Sequence, residues 1–227
     1  MVGSNWDQAL LLKLNTIAGG HAYIYDFADN ALFRGFPIFF SLVALWFADD
    51  DGKRRSRILA GLAGVCIATV LSVWCQFHVQ VHTRPLIDAA LHLKTVELRG
   101  STWDRTSSFP SDTATLFFGL VTVILLEKRF VGLLCFLWTV FVIAIPRVAF
   151  GLHYPSDIIG SLILGPACVL FFSKFPYPRL LIERTLLALK DRMYLVHALF
   201  FIFLAEASNL FRSLEEIGKD LVKLLHS

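Results

Sequence analysis

The chain has 227 residues, 56% hydrophobic and 17% charged, with a net charge of only +3. A soluble domain carries nearer a quarter of its residues as charges, so the composition excludes an ordinary soluble globule. The apolar residues come in long blocks with the charges collected between them, which reads as a polytopic membrane protein forming one domain over 1–227. There is no basic tract or aromatic-basic platform, so a nucleic-acid partner is not expected.

Residues 1–30 lack a charged start followed by an apolar run and do not read as a cleavable signal. Within them, 6–18 forms a short amphipathic, interfacial helix with Leu10, Leu11, Leu14 and Ile17 on one side. Apolar blocks follow at 32–48, 58–77, 111–126, 130–146, 156–172 and 193–210. The fold class is therefore all-α: a polytopic integral membrane helical bundle of about six transmembrane helices. The first block carries Arg34, and the second places Gly61, Gly64 and Ala68 on a flat face suited to close packing. The polar stretch 78–106 is expected to be helical around 87–97, and a charged amphipathic tail occupies 211–227. Cys66, Cys75, Cys135 and Cys168 fall inside apolar blocks without metal-ligand spacing. They read as small buried hydrophobes, not disulfides or ligands.

The cations set the orientation. Segment 49–57 holds four, 127–129 two and 174–192 five, and the six blocks put all three connections on one side. The positive-inside rule makes that side cytoplasmic. The intervening connections hold Arg84, Ser111, Arg147 and His153, so the candidate chemistry gathers on the outer face.

The most informative segment is Arg147-Val148-Ala149-Phe150-Gly151-Leu152-His153-Tyr154-Pro155-Ser156-Asp157. A helix starting near 154–155 puts His153 and Asp157 four residues apart on one face, where the carboxylate can hold one ring nitrogen and leave the other to attack. Arg147 can hold an anion such as phosphate. Upstream stand Arg84-Pro85 and Ser108-Phe109-Pro110-Ser111-Asp112. Each piece has a plain structural role: Arg84 as an interfacial anchor, Ser111 and Asp112 as a helix cap, Arg147 at a span end, His153 as an interfacial histidine. A capped helix N-terminus is also an anion site. Order, side and residue types together favour a phosphate site.

At these residues the chain resembles the type 2 phosphatidic acid phosphatase superfamily of membrane lipid phosphatases. That family carries a Lys and an Arg-Pro in its first motif, Pro-Ser-x-His in its second, and Arg, five residues, His, three residues, Asp in its third. The third is complete here as Arg147, His153 and Asp157; the second is present as Pro110-Ser111-Asp112-Thr113, the first as Arg84-Pro85. The run Ser108–Asp112, with Asn5-Trp6-Asp7, Leu14-Asn15 and Tyr25-Asp26, is most similar to the bacterial undecaprenyl-diphosphate phosphatase branch. The resemblance implies a bacterial inner-membrane, multi-pass enzyme that acts on a lipid phosphate or diphosphate at the outer face and uses no metal or other cofactor. It further implies His153 as a nucleophile that becomes a phosphohistidine, Asp157 as its orienter, and Arg84, Ser111, Arg147 and the backbone near Asp112 as phosphate ligands.

The sequence departs from the family at two positions. Phe77 stands where the first-motif Lys falls, with His78 and His82 nearby as auxiliary candidates, and Thr113 replaces the second-motif His, the family's general acid. Loss of a general acid typically costs about 10²–10⁴ in rate. Three readings stay open: a leaving group that needs no acid, a proton from another residue, or a weak or noncatalytic lipid-phosphate binder or transporter. A lipid alkoxide leaves with a conjugate-acid pKa of roughly 15, near that of water, whereas a phosphomonoester has a second pKa of about 6. Thr113 therefore suits a diphosphate, and a polyprenyl diphosphate is the expected substrate. A phosphatase or phosphotransferase acting on phosphatidic acid or phosphatidylglycerophosphate is the alternative.

Overall fold

In the computed structural model, which describes residues 4–48, 52–94 and 107–211, every regular element is a helix. Helix α1 covers Asn5–Ala18 and α2 Ala22–Asp29; α3, Ala31–Phe47, follows a break at Asn30, whose side chain accepts from the Phe33 amide at 3.0 Å. Then come α4 (Lys53–His78), α5 (Asp112–Glu127) and α6 (Arg129–Trp138). A π-helical stretch, Thr139–Ala144, joins α6 to α7 (Ile145–Ala149). Helices α8 (Pro155–Lys174), α9 (Pro176–Ala188) and α10 (Met193–Ser208) complete the set.

Four runs are long and apolar enough to cross a membrane: Ala22–Phe47, Lys53–His78, Arg129–Ala149 and Pro155–Lys174. Helices α5 and α10 occupy the other two expected spans but have 16 residues each. At 1.5 Å per residue that is about 24 Å, short of the roughly 30 Å hydrocarbon core. Helix α5 is instead the central post of the bundle, with every residue from Thr113 to Ile124 buried.

Small residues let the central helices approach. A Cβ on Gly61 would lie 2.7 Å from a Val123 methyl on α5, and one on Gly64 would lie 2.8 Å from the Val169 Cα on α8. The flat face of α4 thus serves two neighbours. Helix α10 lies along α3, where Trp46 stacks on Phe200 at 4.2 Å and donates to His197 Nδ1 at 2.9 Å. All four cysteines are free thiols; Cys135 is buried and the others are half-buried.

The two ends of the bundle differ. At one end, Arg57 makes a bidentate pair with Glu127, both contacts 2.7 Å, and Arg54 approaches the same carboxylate at 3.4 Å. The expected 174–192 connection contains α9 at this end, where Glu183 accepts from Arg179 at 2.9 Å and lies 3.4 Å from the Ser56 hydroxyl. The cation-rich connections therefore do share one end. The opposite end gathers α1, α2 and the connections 79–94, 107–111 and 150–154.

One expectation needs correction. No α-helix forms over the described part of 87–97; the chain makes two 3₁₀ turns, Pro85–Ile87 and Ala89–Leu91, and His92 at φ +45° ends the second. Lys94 then docks on α1, donating its amide to Asn15 Oδ1 at 2.9 Å and accepting from Asn15 Nδ2 at 3.0 Å. This tertiary anchor replaces helical bonds. Residues 95–97, and the tail beyond Phe211, lie outside the described residues.

Candidate active site

The connection from α7 to α8 places the imidazole. Gly151 turns the chain at φ +69°, a conformation that favours glycine, with Leu93 Cδ1 packed 2.6 Å from where a Cβ would stand. Its carbonyl accepts from the Leu86 amide at 2.9 Å, which ties this loop to the Arg84-Pro85 turn. His153 follows, 1% exposed, just before α8 begins at Pro155. Asp157, wholly buried in the first turn of α8, accepts from the Tyr154 amide at 2.8 Å. The His153–Asp157 approach is Nδ1 to Oδ2, 3.5 Å, across the helix N-terminus.

His153 Nδ1 lies closer to another acceptor, the Ser108 carbonyl, at 2.9 Å. A carbonyl can only accept, so Nδ1 carries the hydrogen and Nε2 keeps its lone pair. That lone pair faces Arg84 Nη1 at 3.4 Å. Burial holds the imidazole below its ordinary pKa; Asp157 opposes the shift, Arg84 adds to it, and Asp112 opposes it more weakly. The ring is therefore neutral at pH 7, with its free nitrogen turned to a guanidinium. This is the state a nucleophile needs.

Arg84, 9% exposed, is held from two sides: Nη1 donates to the Leu152 carbonyl at 3.2 Å and Nη2 to Gln76 Oε1 at 3.5 Å. Gln76 is fully buried and donates to the Pro110 carbonyl at 2.6 Å, so one amide links the arginine to the start of α5. The sequence analysis missed Gln76. Its only signal was a polar residue near the end of an apolar block.

Ser111 caps α5, its hydroxyl accepting from the Ala114 amide at 3.3 Å, and its carbonyl accepts from Ser161 of α8 at 2.8 Å. Asp112 Oδ1 accepts from the Thr113 amide at 2.8 Å. Two amides of the expected anion-binding turn are thus already engaged by side chains of the same turn. Asp112 and Thr113 also stand at one end of a cavity of about 560 Å³ between α4, α5 and the Leu210-Phe211 turn. The rest of its lining is mostly apolar, including Val70, Val73, Phe77 and Leu116.

The structure brings His153, Asp157, Arg84 and His82 together, and Ser111 joins them through its amide, 3.5 Å from the Asp157 carbonyl. Arg147 is elsewhere. Its backbone carbonyl accepts from the Leu152 and His153 amides at 3.0 and 3.2 Å, but its guanidinium turns to Asp29 of α2 at 3.4 Å. Asp29 also takes Arg34 at 3.2 Å. This shared carboxylate was not legible in the chain, because α2 and α7 meet only in the fold. His78 is exposed, stacked on Trp74 at 4.8 Å with Nδ1 2.9 Å from the Trp74 carbonyl, and does not join the cluster. Phe77, at the position of the family Lys, lines the apolar cavity.

The fold and site define an α-helical membrane protein with a buried His–Asp–Arg centre at one end of its bundle. Residues 57–180, more than half of the chain, match the PAP2 superfamily, and the chain belongs to that superfamily. The matched region holds Arg84, Ser111, Arg147, His153 and Asp157. The chain is also similar to the "Bacitracin transport permease protein BcrC" of Bacillus licheniformis, 39% identical over 67 residues, which cover 29% of this chain and 32% of that protein. The match thus spans about a third of the relative's length. No solved structure matches the chain significantly.

Proposed function

We propose that the protein is a membrane lipid phosphatase that removes the terminal phosphate of a polyprenyl diphosphate, of the undecaprenyl class, through a phosphohistidine on His153. The observation that carries this reading is the neutral, buried imidazole whose lone-pair nitrogen faces Arg84 at 3.4 Å while its Nδ1–H is held by Ser108 and Asp157. The Nε2 lone pair attacks the terminal phosphorus, and the bond to the bridging oxygen breaks. The lipid monophosphate leaves with that oxygen and its electron pair. Asp157 supports the positive charge that the ring gains, and Arg84 with the α5 N-terminus supports the charge on the phosphoryl oxygens. Water then attacks phosphorus, the P–N bond breaks, its electrons return to Nε2, and inorganic phosphate departs. Arg147, its guanidinium turned to Asp29, takes no part in this step; its backbone carbonyl holds the His153 amide.

Two features favour a lipid diphosphate. The mostly apolar cavity that has Asp112 and Thr113 in its lining, beside the start of α5, has the character a hydrocarbon chain requires. Thr113 cannot protonate an alkoxide, and a departing phosphomonoester needs no such help. Similarity to a bacterial membrane protein and the cation distribution favour the cytoplasmic membrane of a bacterium, with the site on the outer face. A noncatalytic binder or transporter is the second reading, favoured by the same Thr113 and by the transport function in the relative's name.

Phosphate release by the purified protein, compared across a polyprenyl diphosphate, a polyprenyl monophosphate and phosphatidic acid, tests the reading. The diphosphate should be cleaved fastest. Equal or faster cleavage of a monoester overturns the substrate assignment, and no release from any of the three favours the binder. For orientation, single cysteines at Tyr23 and Tyr177, 69% and 81% exposed, are placed in a background without native thiols. An impermeant reagent outside intact cells should label the first and spare the second; the reverse pattern puts the site inside.

A further inference from the structure

Asp157 is wholly buried, yet its two carboxylate oxygens are held differently. Oδ2 accepts from the Tyr154 amide at 2.8 Å; Oδ1 accepts no hydrogen bond among the described residues. A buried carboxylate oxygen is costly to leave in that state unless a dipole or charge faces it. Oδ1 faces His82 Nδ1 at 3.6 Å, just as Oδ2 faces His153 Nδ1 at 3.5 Å. One carboxylate therefore lies between two imidazoles.

Ser108 repeats the pattern from the other side. Its carbonyl accepts from His153 Nδ1–H at 2.9 Å, and its hydroxyl lies 3.0 Å from His82 Nδ1. The two histidines, 71 positions apart in the chain, are thus fixed by the same pair of residues. The tautomer of His82 follows from its surroundings. A lone pair on Nδ1 would point at a buried carboxylate oxygen, so Nδ1 carries the hydrogen and Nε2 accepts from the Ser156 hydroxyl at 3.3 Å. The Ser156 amide in turn donates to Asp7 Oδ1 of α1 at 2.9 Å. The Tyr154 ring lies edge-on to His82, centroids 4.6 Å apart, and His82 is 7% exposed. Both of its ring nitrogens are thereby committed to Ser108, Asp157 and Ser156, whereas the attacking nitrogen of His153 is turned to Arg84.

We propose that His82 is a positioning residue for the nucleophile: its Nδ1–H, shared between the Ser108 hydroxyl at 3.0 Å and Oδ1 of Asp157 at 3.6 Å, faces that oxygen with partial positive charge, so that Oδ2 stays aimed at His153 while that ring gains charge. The proposal rests on the phosphohistidine reading above and deepens it. Contacts of 3.5 and 3.6 Å exceed hydrogen-bond length, and such contacts commonly tighten only as charge develops in the reacting complex. When the phosphoryl group reaches Nε2, the carboxylate is drawn to the imidazolium. Without a charge facing Oδ1, only the Tyr154 amide on Oδ2 holds the carboxylate, and rotation about its Cβ–Cγ bond turns Oδ2 away from His153.

The test uses the full-length protein in detergent and three substitutions, with substrate turnover and single-turnover labelling of His153 as readouts. His82→Leu should leave KM near the wild-type value and lower kcat and the rate of phosphohistidine formation about 10–100-fold, the usual cost of removing an outer partner that orients a reacting ligand. In His82→Asn the amide nitrogen overlays Nδ1 and should recover most of the loss. In His82→Gln the amide overlays Nε2 and should recover little. Wild-type kcat in His82→Leu overturns the proposal. So does a His82→Asn variant of unchanged thermal stability that is as slow as His82→Leu, since the ring's titration would then be what matters. A raised KM with unchanged kcat makes His82 a substrate contact and also overturns it. His153→Ala is measured in parallel: if it still turns over, or if no label forms on His153 in the wild type, the phosphohistidine reading fails and takes the proposal with it, whatever the His82 variants do.

Discussion

The two ends of the bundle use polar residues in opposite ways. At the cation-rich end, charges meet in simple ion pairs: Arg179 on Glu183 at the surface, the side chains 43% and 35% exposed, and Arg57 and Arg54 on Glu127, whose side chain is 5% exposed. An exposed pair such as Arg179–Glu183 contributes little to stability and is screened by salt. At the site end, His153, Asp157, Arg84, His82, Ser108 and Gln76 are all buried and joined to one another or to loop carbonyls. Burying polar groups is costly unless they are satisfied, and a connected network holds its members in one geometry. Charges pair off at one end; at the other they are pre-arranged for chemistry.

The sharpest way to break that contrast is His153→Ala, which should lower turnover by about 10⁴-fold or more, as loss of a nucleophile does elsewhere. Phosphate release and loss of the phosphoenzyme check it. Arg84→Ala should cost about 10²–10³ in kcat, comparable with removing a donor that stabilises developing negative charge; a change confined to KM would make Arg84 an anchor. Thr113→His supplies the missing acid and should raise monoester hydrolysis by about 10² or more, while diphosphate hydrolysis changes little. Restoration of both from an inactive wild type would identify a degenerate relative instead.

The pH profile gives a smaller effect. His153 must be neutral to attack, and burial lowers its pKa from 6.5. Below the lowered value the ring takes up a proton and loses its lone pair, so kcat/KM for the diphosphate should hold as pH falls through 6.5 and decline only below it. An acid limb above 6.5 contradicts a buried neutral nucleophile. The smallest effect belongs to the other end: Arg179→Ala, which removes the exposed pair with Glu183, should leave kcat unchanged and lower stability by about 1 kcal/mol at most. A large loss of activity there would dissolve the distinction between the two ends.

Much of this was legible in the chain before folding. Apolar blocks, the small-residue face of α4 and the clustering of cations are local or periodic signals, and bilayer thickness converts them directly into helices and sides. The spacing of Arg147, His153 and Asp157 is also local, and it was enough to place the imidazole beside the carboxylate at the start of α8. What sequence spacing could not supply was direction. Arg147 and His153 are six residues apart, yet the guanidinium of Arg147 turns to Asp29, a contact set by where α2 docks on α7. Where a helix was expected around 87–97, the described residues make 3₁₀ turns, and Lys94 bonds to Asn15 of α1, a partner that spacing along the chain does not reveal. His82 and His78 read alike as neighbouring polar residues, but the chain leaves α4 at His78 and folds back, so one ring is exposed and the other is buried against Asp157. Sequence determined most of the helices and the identity of the nucleophile candidate, because those depend on hydrophobicity and short-range spacing. Tertiary structure alone decided which polar groups surround that nucleophile, because Gln76, His82, Ser108 and Asp157 meet only when four separate segments close on one end of the bundle.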